Sequence, residues 1–332
     1  MGKILTISVA AYNVEKYIKQ TLESLIDEDI VDELEVFVVD DGGTDGTLKI
    51  VQEYAEKYPQ SIFPVHKENG GYGSTVNYSI AHATGLFFKL LDGDDWFDGR
   101  ALKSLIGTLR TTEADVIVSP YKQGPDEAGL KIKKRTWMKY CGKTLKISEL
   151  KNEQIPMWSL TYRTNVLKKT KMELPKHMLY TDNIYDIMPF TNVESVQFIS
   201  DAVYCYRTDR DGQSNSKTSR MKHVDEIVEI SFLMCKFSKR SVVVGKRCQN
   251  FIEFRCAGVC RNVIDALMLF PTNEVGLSRI KSYESEVKKI SPEIYKKVPK
   301  VGKLGKFIGL MRHSGYIPYW LFGIKHKDGI EI

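Results

Sequence analysis

Apolar residues in the first hundred positions follow two alternating spacings. Continuous β-branched and aromatic runs predict four strands, at residues 4–10, 35–39, 62–65 and 86–91. Between these runs, apolar residues recur every three or four positions, which predicts three helices. Asn13 and Asp45 precede the first two helices and are expected to cap them. This β-α-β-α-β-α-β order predicts an α/β fold, with a mostly parallel sheet flanked by helices on both faces.

The pattern changes after residue 100. A strand is predicted at residues 115–119, and one or two more at residues 194–206. After His223 the apolar spacing becomes helical and stays so. We therefore expect a first domain in residues 1–220 and a helical extension in residues 221–332.

The last part of the helical extension is strongly basic. Residues 288–327 hold ten Lys or Arg against one acidic residue, Glu293. Prolines and glycines within it predict interrupted helices, at positions 299, 302, 305, 309 and 318. Aromatic residues are interleaved with the charge, namely Phe307, Tyr316, Tyr319, Trp320 and Phe322. This tail either contacts an anionic membrane surface or is a solvated basic surface whose aromatics pack on the first domain.

Composition and charge narrow the class of protein. With 42% hydrophobic and 27% charged residues, the chain is globular rather than disordered. The formal net charge of +6 divides into −10 for residues 1–100 and +16 for the remainder. The tail has too few regular aromatics for a nucleic-acid module, so no nucleic-acid partner is expected.

Targeting signals and cysteines indicate the compartment. The longest stretch without charged residues, 69–88, is too polar to span a membrane, and the N-terminus lacks the apolar core of a signal peptide. The six cysteines form no CxxC pair, so we expect buried, reduced thiols in a cytoplasmic protein.

Acidic residues follow two of the predicted strands. Asp40 and Asp41 end the second strand, and Asp92, Asp94 and Asp95 follow the fourth. Ligands of parallel sheets bind at the carboxyl ends of strands. Clustered carboxylates repel one another, and Mn²⁺ or Mg²⁺ would offset that repulsion. The alternative is a solvated Asp-Gly turn.

Two further segments lie at strand ends. Ala10 and Tyr12 follow the first strand without a GxGxxG or Walker A loop, which disfavours dinucleotide and P-loop sites. Tyr12 either stacks on a base or packs at the start of the first helix. The Gly-rich segment 69–74 precedes the third helix, so its amides could approach a phosphate or ribose.

The order and spacing of these segments resemble the family-2 glycosyltransferases of the GT-A fold that act in bacterial envelope polysaccharide synthesis. The matching stretches are SVAAYNVEKYI, VVDDGGTDGT, Asn69-Gly70-Gly71-Tyr72-Gly73 with Asn77, and LDGDD. Family members often have Pro at position 10 and Arg at position 76, where this chain has Ala and Val. The resemblance implies a nucleotide-diphospho-sugar donor, usually a UDP-sugar, and Mn²⁺ or Mg²⁺ bound by Asp92 and Asp94. It implies donor-binding residues Ala10, Tyr12, Asp40, Asp41, Asn69, Gly73, Asn77, Asp92, Gly93, Asp95 and Arg207.

The resemblance continues more weakly to about residue 214. Tyr180-Thr181-Asp182 is similar to the family's Tyr-Glu-Asp motif, which implies that Asp182 is the general base of an inverting transfer. Asp186 is the fallback base, and the alternative role of Asp182 is a helix N-cap. Tyr204–Arg207 resembles a stretch that closes over the diphosphate, where Arg207 is either a phosphate ligand or a structural ion-pair partner.

The resemblance also implies the acceptor. It is expected to be a saccharide or a lipid-linked saccharide, which would place the protein peripherally at the inner face of the cell membrane. The alternatives are a sugar nucleotidyltransferase and a non-catalytic basic binding protein. This chain lacks the Gly-rich, Lys/Arg-bearing loop that a sugar nucleotidyltransferase usually has after its first strand.

Overall fold

The chain divides into two compact units. The computed structural model describes residues 2–209, 213–214, 216–240, 246–270, 275–317 and 319. Residues 1–149 and 155–210 form the N-terminal unit, and residues 150–154 and 211–332 form the C-terminal unit. The domain boundary expected at residue 220 stays a prediction, and one short internal segment, residues 150–154, groups with the C-terminal unit.

The N-terminal unit is a layered α/β structure. Its strands are β1 (Leu5–Ala11), β2 (Leu34–Asp40), β3 (Ile62–His66), β4 (Phe87–Asp92), β5 (Trp96–Phe97), β6 (Val116–Val118), β7 (Tyr121–Gly124), β8 (Lys131–Ile132), β9 (Thr144–Lys146), β10 (Leu160–Arg163), β11 (Ser195–Phe198) and β12 (Tyr204–Arg207). Its helices are α1 (Glu15–Glu23), α2 (Thr47–Lys57), α3 (Tyr72–His82), α4 (Gly99–Leu109), α5 (Thr164–Thr170) and α6 (Asp182–Ile187). All seven elements predicted within residues 1–100 are present.

Two sheets organise this unit. The larger has eight strands in the order β3-β2-β1-β4-β10-β6-β11-β9, and the smaller has four in the order β5-β12-β7-β8. Strands β3, β2, β1 and β4 pair in parallel, while β10 runs antiparallel to β4 and β6. The predicted mostly parallel sheet is therefore confirmed.

The register of the parallel strands brings their carboxyl ends level. Ala10 lies opposite Val39 on one side and Asp92 on the other, and Ala11 lies opposite Asp40. Three segments that are separate in the sequence thereby meet at one edge of the sheet. The acidic residues lie at this edge.

The loops after β1 and β2 are joined by reciprocal hydrogen bonds. Asn13 does not cap α1 as expected, because its φ is 52° and its Oδ1 accepts from the Thr44 N–H at 2.8 Å. Asp45 instead accepts from the Glu15 N–H at 3.0 Å, while a Glu15 carboxylate oxygen accepts from the Gly46 N–H at 2.9 Å. Each loop thus supplies a carboxylate to the start of the other loop's helix.

The C-terminal unit is helical among its described residues. Its helices are α7 (Lys217–Lys222), α8 (Val224–Arg240), α9 (Lys246–Leu267), α10 (Leu277–Ile290), α11 (Pro292–Lys297) and α12 (Gly302–His313). The helical extension predicted after His223 is confirmed. All six cysteines of the chain are free thiols, and five of them are buried. No helix in the described part of the chain is both long and apolar enough to cross a bilayer.

The basic tail is more helical than its glycines predicted. Helix α12 continues through Gly305 and Gly309, so the expected interruption at these two positions is wrong. A Cβ at Gly305 would lie 2.5 Å from the Val298 carbonyl oxygen, so glycine here permits close packing against the preceding turn. Pro318, Trp320 and Phe322 lie outside the described residues.

Candidate functional site

The acidic turn after β4 is fixed by backbone contacts from β1 and α1. The Gly93 N–H donates to the Ala10 carbonyl at 2.9 Å, and a Cβ at Gly93 would approach that oxygen to 2.8 Å. The Thr21 hydroxyl lies 3.0 Å from the Gly93 carbonyl oxygen and 2.7 Å from that of Asp95, so it binds the turn from the other side. Helical spacing alone gave no reason to single out Thr21. These contacts fix the direction in which the acidic side chains leave the turn.

The side chains of this turn form a cluster of hard oxygen donors. Asp92, Asp94 and Asp95 each place one carboxylate oxygen within 4.8 Å of the others. Asp95 is 1% exposed, and burial, followed by the charges of Asp94 and Asp92, raises its pKa well above the usual range. A divalent cation would relieve this repulsion, and carboxylate oxygens are the ligands that Mg²⁺ and Mn²⁺ prefer. The donor set therefore fits the expected metal.

Asp95 is held by the strand β12. Its two carboxylate oxygens accept from the Tyr204 hydroxyl and from the Arg207 N–H, each at 2.7 Å. The Tyr204 hydroxyl also accepts from the Asp92 N–H at 3.1 Å. Tyr204 was noted in the sequence only as part of a matching stretch, yet it joins both ends of the acidic turn. Asp92 and Asp94 remain the residues predicted to ligate the metal.

The Arg207 side chain packs within the protein. Its Nε donates to the Asp94 carbonyl at 2.9 Å, and its guanidinium lies over the rings of Tyr17 and Trp96 at 5.0 and 4.7 Å. It also donates to the Pro125 carbonyl and to the Gln20 side chain. These contacts with carbonyl and amide oxygens and with two rings support the structural alternative. A phosphate contact by Arg207 stays a prediction.

Asp40 contacts the strand β3. It is 1% exposed, and one carboxylate oxygen lies 2.6 Å from Nδ1 of His66. The other oxygen accepts from the Gly43 N–H at 3.2 Å. Asp40 therefore fixes the turn after β2, and its expected donor contact stays a prediction.

Asp41 anchors the Gly-rich segment. One of its oxygens accepts from the Lys67 ammonium at 2.5 Å and from the Gly70 N–H at 2.9 Å, and the other accepts from the Gly71 N–H at 2.7 Å. The Ser74 hydroxyl adds a contact at 3.2 Å. The Asn69 carboxamide completes the connection by donating to the Asp41 carbonyl at 2.9 Å. Asp41 and Asn69 were expected to bind the donor, and their described contacts position the loop.

Gly73 and Asn77 contact the segment that leads to Asp182. Both ends of the Asn77 carboxamide bond the Leu174 backbone, at 2.8 and 2.9 Å. A Cβ at Gly73 would lie 2.4 Å from the Pro175 carbonyl oxygen. These two residues hold α3 against residues 174–178, and their expected contact with the donor stays a prediction.

Tyr12 lies at the edge where the strands end. Its side chain is 54% exposed, whereas the apolar residue before it, Ala11, is 1% exposed. The alternative in which Tyr12 packs at the helix start is therefore not favoured. An exposed ring beside a strand end is available for stacking on a base.

Asp182 is the first residue of α6, so it is not the N-cap, which is Thr181. Its carboxylate has one described side-chain contact, with Nδ2 of Asn183 at 3.4 Å. Burial raises the pKa of Asp182 to about 6. Asp186 lies one turn further along the same helix. A carboxylate with a pKa near 6 is well matched to accept a proton at neutral pH.

Comparison with known proteins agrees with this geometry. The pattern described as "Glycosyl transferase family 2" matches residues 6–170. The chain is 30% identical over 217 residues to poly(ribitol-phosphate) β-N-acetylglucosaminyltransferase TarS of Staphylococcus aureus strain MW2, which covers 64% of this chain and 36% of TarS. The chain thus spans about a third of the length of that relative.

Solved structures share the fold. The structure of S. aureus TarS residues 1–349 in complex with UDP-GlcNAc aligns with a TM-score of 0.54 and 20% identity, covering 94% of this chain and 92% of that one. The mannosyltransferase PcManGT of Pyrobaculum calidifontis, in complex with GDP-Man and Mn²⁺, aligns with a TM-score of 0.54 and 14% identity over 97% of this chain and 83% of that one. Residues 6–170 of this chain carry the domain of glycosyltransferase family 2.

Proposed function

We propose that this protein transfers a sugar from a UDP-sugar to a hydroxyl of a saccharide or lipid-linked saccharide, with inversion and with the help of a divalent metal. One observation carries the proposal. A cation-compatible acidic turn and a separate desolvated carboxylate, Asp182, both act on the phenol of Tyr72, whose pKa is raised by burial and then by the charges of Asp92 and Asp182. The strand that ends at Asp92 and the helix that begins with Asp182 also both pack on one turn, Met157–Ser159.

The chemistry needs two functions that these residues provide. Asp92 and Asp94 would hold the metal, which stabilises the charge on the leaving diphosphate. Asp182 accepts the proton of the attacking hydroxyl, since its raised pKa still leaves it mostly ionised at neutral pH. Asp95, held by Tyr204 and Arg207, keeps the turn in a fixed conformation. Fixing these groups before the substrate binds lowers the cost of organising the reaction.

The nucleotide and the metal are chosen by analogy with the fold's other members. The TarS structure was obtained with UDP-GlcNAc, and the PcManGT structure with GDP-Man and Mn²⁺. We therefore take UDP-GlcNAc with Mn²⁺ as the first donor and metal to examine, and Mg²⁺ as the second metal. TarS is named for poly(ribitol-phosphate), so we take envelope polysaccharides as the first acceptor class to examine.

The decisive experiment is a donor screen. UDP release is measured across common UDP-sugars with Mn²⁺, with Mg²⁺ and with a chelator, and the products are identified by mass. Turnover of one UDP-sugar that disappears with the chelator supports the proposal. UDP-sugar binding that is equally tight without metal would contradict the role of Asp94. A product that carries a transferred nucleotide would show that the reaction is a nucleotidyl transfer instead.

The described part of the basic tail supports a peripheral membrane contact. Lys303, Lys306, Leu310 and His313 are exposed and recur along one stripe of α12, and Ile317 is 58% exposed just beyond it. Lysines beside exposed aliphatic residues suit an anionic bilayer surface. The aromatics in this region behave differently, since Tyr319 is fully buried and the Tyr316 hydroxyl contacts Glu284.

Vesicle sedimentation tests this contact. We expect the protein to bind vesicles that contain phosphatidylglycerol more tightly than neutral vesicles, and replacing Lys303 and Lys306 by Glu should abolish the difference. A paired exchange of Lys16 and Lys19 to Glu on α1 controls for net charge. Equal binding to both vesicle types would remove the proposed placement at the inner face of the membrane.

A further inference from the structure

Tyr72 occupies the junction between the Gly-rich segment and the chain leading to Asp182. It is the first residue of α3 and follows Gly71, whose φ is 77°. A Cβ at Gly71 would lie 2.9 Å from the His177 nitrogen, and the His177 N–H donates to the Gly70 carbonyl at 2.7 Å. The close approach of these two backbones fixes where the Tyr72 side chain begins.

The Tyr72 hydroxyl has a weak partner. It donates to the sulfur of Met157 at 3.4 Å, and a thioether is a poor hydrogen-bond acceptor. Met157 belongs to the turn Met157–Ser159, which packs on α6, the helix that begins with Asp182. The hydroxyl therefore contacts a turn that packs on the helix of the expected base, and a better acceptor can replace this contact at little cost.

The same turn, Met157–Ser159, also packs on β4, the strand that ends at Asp92. Burial, and then the charges of Asp92 and Asp182, raise the pKa of Tyr72 well above its usual value. The phenol consequently keeps its proton and acts as a donor. The Tyr72 hydroxyl thus contacts a turn that packs both on the strand ending at Asp92 and on the helix beginning with Asp182.

The geometry of an in-line displacement indicates which part of the donor lies near the Tyr72 hydroxyl. In an in-line displacement, the anomeric carbon lies between the leaving diphosphate oxygen and the attacking oxygen. If Asp92 marks the first and Asp182 the second, the transferred sugar lies between them. We propose that the Tyr72 hydroxyl binds the transferred sugar, exchanging the Met157 sulfur for a sugar hydroxyl. This inference rests on the proposed function and names a contact to the sugar rather than to the nucleotide.

Binding measurements separate these two parts of the donor. Calorimetry with Mn²⁺ compares UDP with the UDP-sugar selected by the donor screen, on the full chain. For Tyr72→Phe we expect UDP affinity to be unchanged and UDP-sugar affinity to fall about tenfold, the effect of one lost hydrogen bond. Tyr78→Phe is the matched control, because it lies on the same helix with its ring stacked on His82 at 4.1 Å. It should change neither affinity.

Deoxygenated donors test the same contact without relying on a variant's fold. UDP-sugars that each lack one hydroxyl are compared on the wild-type protein and on Tyr72→Phe. We expect one analogue to bind about tenfold more weakly to the wild type and to lose nothing further on the variant, as in a double-mutant cycle.

Two outcomes would overturn this inference and leave the proposed function intact. One is equal UDP-sugar affinity for the wild type and Tyr72→Phe, and the other is an equal loss for UDP and UDP-sugar. A wild-type protein that is folded but binds no UDP-sugar would instead overturn the proposed function, and this inference with it.

Discussion

Asp41 and Asp182 are both carboxylates of the N-terminal unit, yet their surroundings are opposite. Asp41 is 4% exposed and accepts from Lys67, two backbone amides and a hydroxyl. Asp182 is partly buried, and its described side-chain contact is the 3.4 Å approach of Asn183. The pKa of Asp182 rises to about 6, because burial removes water and few donors replace it.

This difference separates a carboxylate that holds a loop from the carboxylate that we propose as the base. Donors around Asp41 stabilise its charged form and use it to hold a loop. Burial disfavours the charged form of Asp182, and accepting a proton neutralises that charge. We therefore expect opposite effects when each carboxylate is neutralised. These effects test whether the two residues differ in the way described.

The largest expected effect is on turnover by Asp182→Asn. Loss of the base should lower kcat by about 10²–10⁴, the usual contribution of general-base catalysis. UDP binding with Mn²⁺ should be retained. Because the folded state at pH 7 carries a desolvated charge at this position, the melting temperature should stay equal or rise. Steady-state kinetics, calorimetry and thermal melts measure the three quantities.

Asp186→Asn is the control for that variant, since Asp186 lies on the same helix. Its turnover should remain within a few-fold of the wild type. If the large loss appears in Asp186→Asn and not in Asp182→Asn, the base is Asp186.

The second effect is on stability in Asp41→Ala. This change leaves the Lys67 ammonium and the amides of Gly70 and Gly71 without their acceptor. We expect the free energy of unfolding to fall by about 3 kcal/mol, at the low end for a broken buried ion pair because Lys67 reaches solvent. Urea unfolding measures the loss. Asp29→Ala, at an exposed pair with Lys103, should change little, and equal effects in both variants would contradict the anchoring role of Asp41.

A smaller loss is expected for Tyr204→Phe. The change removes the hydroxyl that donates to Asp95 and accepts from the Asp92 N–H. We expect about 2 kcal/mol of destabilisation and weaker Mn²⁺ binding, measured by urea unfolding and metal titration. Tyr140→Phe is the matched control, because the Tyr140 hydroxyl has no hydrogen-bond partner among the described residues. A stable Tyr204→Phe protein with unchanged Mn²⁺ affinity would show that Tyr204 does not position the acidic turn.

The mildest test is the pH dependence of the wild-type protein. The folded pKa of Asp182, about 6, lies above the usual value for aspartate, so the group gains a proton as the pH falls through 6. A protonated carboxyl cannot act as the base. We expect kcat/KM to fall about fivefold between pH 6 and pH 5, with thermal melts confirming that the protein stays folded. A flat profile over this range would argue against Asp182.

Local sequence patterns were sufficient to predict most strands and helices of residues 1–100. Strand β1 and its neighbours follow from apolar runs, because a strand buried on both faces needs a continuous apolar sequence. The acidic turn followed from its position at a strand's end. Asn13 was misassigned because a cap is recognised by residue type, whereas its partner, Thr44, lies in another loop. Similarly, glycine in α12 was read as a break, although close packing on Val298 favours it.

The sequence by itself determined the layered α/β fold, the family and the set of acidic residues, because these depend on spacing and order within short segments. Only the tertiary structure decided what each carboxylate does. Asp41 became a loop anchor, Asp95 a bound support, and Asp182 a desolvated candidate base. The physical reason is that a carboxylate's pKa and its available oxygens depend on burial and on donors from distant segments. The same holds for the phenol of Tyr72, whose pKa is raised by burial and by the charges of Asp92 and Asp182, two residues from distant segments.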